Sequence, residues 1–306
     1  MGRVLVVNAG STSLKLSAVD DDEASEPVES LQLPPADVVA VGHRIVHGGS
    51  RFRYPVVVDD AVRRSLGELA PLAPLHARPA LDALDEARAA LPSVAHVAVF
   101  DTAFHSTMSE EATVYAVPRR WRDELGIRRY GFHGLAVAWV AEHVPVPRLV
   151  VCHLGGGCSV TAVLDGRSVD TTMGFSPLEG VPMATRAGSV DPGALLYLQR
   201  ERGLSVSELE RVLEDESGLA AFGGLDDPLG FAVYTYRVAQ AVAAMAVPLG
   251  GLDGLAFSGG VGEHRVDVRD AIAAAVRFLE PFRVEVVTAR EDVVVARAVR
   301  SFLAAA

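Results

Sequence analysis

Cysteine is scarce: Cys152 and Cys158 are the only two. They give neither a disulfide framework nor a metal-ligand spacing, and Cys158, after a glycine turn, reads as a buried, inert thiol. No uninterrupted apolar run reaches membrane-spanning length, because Pro248, the glycines after it and Asp253 break the best candidate. The first apolar run is strand-length and lacks a cleavage site, so a cytoplasmic location without a signal peptide is expected. Positive charge is outweighed, 28 Lys and Arg against 39 Asp and Glu, for a net charge of -11. That balance argues against nucleic acid and anionic membrane as partners. One local exception is "RRWRDELGIRR", with Arg119, Arg120, Arg122, Arg128 and Arg129. It reads first as a solvated face, and second as a field that attracts an anionic substrate. Also lacking are a Walker A sequence and a dinucleotide fingerprint, so any phosphate handling must use another architecture.

What is present suits a globular chain. Half the residues are apolar and 22% are charged, and 306 residues are comfortable for two cores. Strands are expected at Leu5 to Val7 and Leu14 to Ala18, then an exposed acidic connection, "DDEASEPVESLQLPP". Helical patterns run from Ala61 to Leu69 and from Pro79 to Leu91, the second with its proline in the first turn. "VAHVAVFDTAFH" reads as a buried strand ending at Asp101. After Pro147 the pattern restarts, with strands at Leu149 to His153 and Ser159 to Leu164 around a turn at Gly155 to Gly157. Ser205 and Glu208 fit a capping box for a helix to about Glu216. A long apolar helix from Ala232 to Val247, a buried strand in "GLAFSGG", and helices at Asp267 to Leu279 and Glu291 to Ala304 complete the chain.

Both halves therefore begin with strand, glycine-bearing turn and strand: "VLVVNAGSTSLKLSAVD" and "LVVCHLGGGCSVTAVLDG". This weak internal repeat predicts two similar α/β lobes with a cleft between them as the ligand site. One such turn is an ordinary hairpin; two matched turns of small residues suggest a phosphate clamp. Asn8, Arg44, Asp101, His133, Arg186 and Glu291 fall at expected strand ends or glycine-rich turns. Taken singly, Arg44 reads as a surface ion pair, His133 as a core histidine and Asp101 as a helix cap. Together they make a phosphoryl-transfer set, with arginines for phosphoryl oxygens and a carboxylate and an amide to organise Mg²⁺.

The motifs "VNAGSTSLK", "GHRIVHGG", "APLH", "VFDTAFHSTM", "YGFHG", "CHLGGG", "DTTMGFSPLEGVPMATRAGSVDP" and "GGVGE" resemble, in order and spacing, those of the acetate kinase family. The resemblance runs from residue 3 nearly to the C-terminus. It implies the duplicated two-lobe actin-like and sugar-kinase fold, and phosphoryl transfer between ATP and a short-chain carboxylate (acetate, with propionate as a second substrate). The lobes would span residues 1–147 and 148–290, with a helix at 291–306 packing back on the first. It further implies that Asn8 and Glu291 position Mg²⁺, with Ser11, Ser13 and Lys15 nearby. Arg44 and Arg186 would bind carboxylate and phosphoryl group, Asp101 would orient the arginines, and His133 would stabilise transition-state charge. Val46, Leu75, Phe132 and Pro177 would form the acyl pocket. His153, Gly155, Gly156 and Gly157, with Gly260 and Gly262, would meet the donor phosphates. Members pair through the second lobe, so a homodimer is expected.

The chain departs from the family pattern mainly on the donor side. It is shorter than typical members. After "SGLAAFGGL" it runs through "DDPLGFAVYTYRV" almost directly into a long helix, where the family has a serine-rich turn and an Asp-Phe-Arg segment. Gly156 and His264 stand where asparagine is usual. Two further readings stay open: the same chemistry with pyrophosphate or another donor, and a non-catalytic relative that binds acyl phosphate or nucleotide.

Overall fold

A computed structural model describes residues 2–10, 14–72 and 74–305, without the side chains of 74–76. Ser11, Ser13 and the Leu75 side chain thus lie outside what is described. Two compact units form, one from Met1–Ser106, Phe132–Trp139 and Arg290–Ala306, the other from Thr107–Gly131 and Val140–Ala289. The sequence suggested lobes of 1–147 and 148–290 with the helix at 291–306 returning to the first, without the crossing of 107–131 into the second unit. Hydrogen bonds explain the difference: Tyr130 N–H donates to Gly174 O at 3.0 Å and Thr107 Oγ1 to Ser168 O at 2.6 Å, tying 107–131 to the second unit.

The first unit holds strands β1 (Arg3–Ala9), β2 (Leu14–Val19), β3 (Ser25–Pro27), β4 (Val38–Ile45), β5 (Val56–Val57) and β6 (Ala95–Phe100). They lie in the order β3-β2-β1-β4-β6-β5. β1, β2 and β3 are antiparallel neighbours, whereas β1, β4 and β6 run parallel. The second unit holds β7 (Arg148–Leu154), β8 (Cys158–Leu164), β9 (Arg167–Thr171), β10 (Gly254–Ser258) and β11 (Arg283–Val286), ordered β11-β10-β7-β8-β9. Two antiparallel neighbours on one side of the leading strand and parallel ones on the other occur in both sheets. The repeat read from two turns is thus a repeat of whole topology, the duplicated actin-like and sugar-kinase arrangement.

The parallel strands of the first unit are buried on both faces, as expected for a sheet covered by helices. Leu5, Val7, Val41, Ala98 and Phe100 share one core with Leu66, Leu81 and Leu84 of the helices Asp60–Leu69 and Pro74–Ala90. Val4, Val6, Ala40, Val97 and Val99 share another with Val293, Val295, Ala296 and Val299 of the helix Glu291–Ala305. Burying each of those valines contributes roughly 1.5–3 kcal/mol. That helix can approach because residue 42 is glycine: a Cβ there would stand 2.6 Å from Val295 Cγ1 and 2.9 Å from Val299 Cγ2. The close approach also places Glu291, the first residue of the helix, over the sheet.

Several local expectations need correction. The acidic connection contains the edge strand β3, whose Glu26 and terminal Pro27 are features that discourage further pairing. The second helix of the first unit begins at Pro74, not Pro79, because the earlier proline supplies the first-turn residue and Pro79 is carried inside. The helices Gly134–His143 and Pro192–Arg202 had no clear periodic signal; the first, "GLAVAWVAEH", has almost no polar face. The Ser205–Glu208 capping box is present and opens the helix Val206–Asp215. Cys152 and Cys158 are buried, and burial pushes the Cys158 thiol up to about 11. Among the described residues no helix is long and apolar enough to cross a membrane.

Candidate active site

In the first unit, Asn8, Arg44 and Asp101 stand at or just beyond the carboxyl ends of the adjacent parallel strands β1, β4 and β6. Open α/β sheets characteristically bind ligands at that end. The three side chains meet. Arg44 Nε donates to Asp101 Oδ1 at 2.9 Å, its Nη2 to Oδ2 at 2.6 Å, and its Nη1 to Asn8 Oδ1 at 3.0 Å. Glu291 closes the group, with Oε2 at 3.2 Å from both Arg44 Nη1 and Asn8 Nδ2. Arg44 is thereby fixed along several of its donor directions. Burial works against its charge, yet Asp101 and Glu291 hold its pKa above the ordinary value. For Asp101, burial pushes the carboxyl up and Arg44 opposes the rise. The two-point geometry is that of a carboxylate facing a guanidinium.

The "YGFHG" segment is held against this cluster by backbone. Gly134 N–H donates to Asp101 O at 3.1 Å, and a Cβ on Gly134 would collide with that oxygen. His133, immediately before it, adopts φ +61, a left-handed conformation that a non-glycine residue rarely takes. Phe132 is buried, and its carbonyl lies 2.9 Å from His105 Nε2. The Phe132 ring meets His47 edge-on at 5.4 Å. Val46, also buried, lines a small apolar cavity with Ile45, Leu66, Leu69, Ala80 and Leu81. Lys15 is exposed and faces Asn8 across the β1–β2 pairing.

The second unit contains the remaining expected residues. Arg186 Nε lies 3.2 Å from Glu214 Oε2, each side chain only 13% exposed, and Arg186 Nη1 lies 3.5 Å from the carbonyl of the buried Pro177. The segment carrying Arg186 is anchored on the helix Val206–Asp215: Thr185 Oγ1 donates to Glu214 O at 2.7 Å, and Ala187 N to Leu213 O at 3.0 Å. Glu214 was not anticipated. Its signal was available, since an acid in the last turn of a helix opposes the helix dipole and asks for a partner. Burial pushes the Glu214 carboxyl up, with Arg186 opposing.

His153, next to last in β7, lies 3.0 Å from Ser258 Oγ of β10 through Nδ1. After it the turn Gly155–Gly157 closes with Gly155 N–H on Gly157 O at 3.0 Å. Gly156 is exposed, and among the described residues nothing beyond the chain neighbours and local helix backbone lies within 4 Å of a Cβ position on it or on Gly260. Gly262 is different: it is buried, with its Cβ position 3.5 Å from Phe257, which is a packing role. Glu263 Oε1 accepts from Gly259 N–H at 2.9 Å, an internal carboxylate where the sequence suggested only glycines.

The "RRWRDELGIRR" patch divides. Arg119 is exposed and pairs with Asp123, as a solvated face would. Arg129 turns inward, with Nη2 donating to Glu179 Oε1 at 2.8 Å and Nη1 to the carbonyls of Thr171 and Thr172, both at 2.9 Å. The Tyr115 hydroxyl donates to the other Glu179 oxygen. This network organises "DTTMGFSPLEG" and was missed because Arg129 looks like one more surface arginine in the sequence.

Comparison with known proteins identifies the family of the chain. The model of the Acetokinase family matches residues 30–294. The acetate kinase of Deinococcus radiodurans is 45% identical over 271 residues, covering 81% of this chain and 68% of that protein. That of Protochlamydia amoebophila is 42% identical over 259 residues, covering 78% and 65% respectively. The chain thus spans about two thirds of the length of these curated relatives. A crystal structure of a propionate kinase from Francisella tularensis superposes with a TM-score of 0.91 at 28% identity, covering 97% of this chain and 99% of that one.

Proposed function

The chain belongs to the acetokinase family, and we propose that it moves a phosphoryl group between ATP and a short-chain carboxylate, acetate or propionate, to give an acyl phosphate. One observation supports this most: the doubly bonded Arg44–Asp101 pair, with Asn8 and Glu291 beside it, at the carboxyl ends of parallel strands. A carboxylate is already nucleophilic at neutral pH, so the protein need not supply a general base. It must align the two substrates and offset the charge that builds on the phosphoryl oxygens. Arg44 suits that task because Asp101 fixes its orientation before substrate arrives. From the second unit we assign a similar charge-binding role to Arg186, held by Glu214.

His133 would add charge stabilisation, and Val46, Phe132, Pro177 and Leu75 would receive the acyl group. A pocket of this kind gains roughly 1 kcal/mol per methylene, so acetate and propionate should overlap as substrates. Asn8 and Glu291 bring together one amide oxygen and one carboxylate, of which Arg44 Nη1 engages Oδ1 and Oε2. That donor set fits Mg²⁺, which takes one or two protein oxygens and keeps waters and substrate phosphates for the rest. When bound, the ion would neutralise phosphate charge. Lys15, with Ser11 and Ser13, would lie on the phosphate side, and His153 to Gly157 with Gly260 would approach the donor. We further propose a cytoplasmic homodimer that pairs through the second unit.

A smaller donor, pyrophosphate, is the second reading, favoured by the empty surroundings of Gly156 and Gly260. Trapping acyl phosphate as hydroxamate, with acetate and each donor in turn, separates the two. Acyl phosphate with ATP supports the first reading, and formation with pyrophosphate alone would replace it.

A further inference from the structure

Lys15 is the only lysine in the chain; every other member of the 28 Lys and Arg residues is arginine. Arginine stays protonated and its guanidinium is a poor nucleophile, whereas a lysine amine is readily acylated. The protein therefore exposes one side-chain amine, and its position is informative. Lys15 lies directly opposite Asn8 in the antiparallel β1–β2 ladder, and directly opposed residues project their side chains from the same face. On that face Asn8 meets Arg44 and Glu291. Lys15 is exposed, and among the described residues no ion pair or hydrogen bond engages its ammonium.

We propose that Lys15 is a site of self-acylation by the acyl phosphate that the enzyme forms, and that the modification lowers turnover. This rests on the phosphotransferase reading above. After the ammonium gives one proton to solvent, the amine lone pair forms a bond to the acyl carbon of acyl phosphate. The bond from that carbon to the phosphate oxygen breaks and inorganic phosphate departs. The second nitrogen proton passes to the leaving phosphate or to solvent, and an amide remains. No oxidant or further reactant is needed. Acylation removes a positive charge from the face that carries the phosphate-handling residues. Product accumulation would thus be recorded as a covalent mark at the site that makes it.

The purified full-length protein is incubated with acetyl phosphate and followed by intact mass, peptide mapping and residual activity. The expected result is one acetyl group on Lys15, formed at a rate that saturates with acetyl phosphate, with turnover falling about ten-fold as the adduct approaches one per chain. Lys15→Arg, whatever its starting activity, should gain no adduct at this position and lose no further activity during incubation. An unmodified Lys15, an adduct that leaves turnover unchanged, or a rate that rises linearly without saturation would each overturn the proposal. A parallel incubation of acetate with ATP, and with pyrophosphate, distinguishes the underlying reading. Modification by added acetyl phosphate, but no acyl phosphate from acetate with either ATP or pyrophosphate, would refute the phosphotransferase assignment while leaving the reactivity of Lys15 intact.

Discussion

Asp101 grips Arg44 at two points, Oδ1 to Nε at 2.9 Å and Oδ2 to Nη2 at 2.6 Å, and is itself 1% exposed. Each needs the other. Arg44→Ala would leave a buried carboxylate with no counter-charge, a loss of about 3–5 kcal/mol in stability. Its activity is therefore interpretable only alongside a melting curve. Asp101→Asn keeps the shape and removes the charge, so Arg44 is retained but loosely aimed. Turnover should fall about a hundred-fold with a smaller change in melting temperature. Unchanged turnover in folded Asp101→Asn would mean that Arg44 does not act at the transferring group.

Glu214 and Arg186 form the corresponding pair in the second unit, at 3.2 Å. Glu214→Gln should lower kcat about ten-fold, less than Arg186→Ala, because the guanidinium persists but is less well directed. On an Arg186→Lys background the same change should have little additional effect, since residues acting through one another are not additive. Full additivity in steady-state kinetics would show that Glu214 acts independently of Arg186.

Donor recognition yields a gain-of-function test. Gly156 has open space around its Cβ position, so Gly156→Asn can add an amide without displacing anything. One added hydrogen bond is worth about 0.5–1.5 kcal/mol, so the KM for ATP should fall a few-fold while that for acetate stays put. The natural chain should show a raised KM for ATP and weak discrimination between ATP and GTP. A low-micromolar KM with strong rejection of GTP would reveal an adenine pocket supplied by other residues.

Two buried histidines should make the fold sensitive to acid. His105 is fully buried with Nε2 on Phe132 O, and burial lowers its pKa to about 4. His43 is lowered to about 3, by burial and then by His96. The Leu91 carbonyl can only accept, so His96 carries its proton on Nε2 and takes the His43 Nε2 proton at Nδ1, 3.0 Å away. His43 Nδ1 is then a buried lone pair without a partner among the described residues. Both folded pKa values lie below the unfolded value, so the unfolded chain binds more protons as pH falls below about 6.5. Each histidine then costs up to about 1.4 kcal/mol per pH unit. Ring NMR resonances of His43 and His105 should show no titration between pH 7 and about 5, a window set by that reference value. Titration of either ring there would contradict its burial.

The motifs made much of the candidate cluster legible: Asn8, Arg44, Asp101 and Glu291 are far apart in the chain and meet because β1, β4 and β6 are neighbours. What was hidden shares one cause. Glu214, Glu179 and the inward turn of Arg129 depend on contacts between distant segments, and no local period or propensity reports those. Where the chain divides rests on the same kind of contact, since long-range hydrogen bonds such as Tyr130 N to Gly174 O tie 107–131 to the second unit. A glycine-rich string likewise does not reveal which glycine faces the interior, as Gly262 does beside Phe257.

The most direct test follows phosphorus itself. Phosphorus NMR of the protein with Mg-ATP and acetate should show the γ-phosphoryl signal decline as acetyl phosphate and ADP rise together, with no change when acetate is omitted. The folded Asp101→Asn variant should slow that transfer about a hundred-fold. Appearance of inorganic phosphate at the same rate with or without acetate, and no acyl phosphate with either ATP or pyrophosphate, would contradict phosphoryl transfer to a carboxylate by this chain.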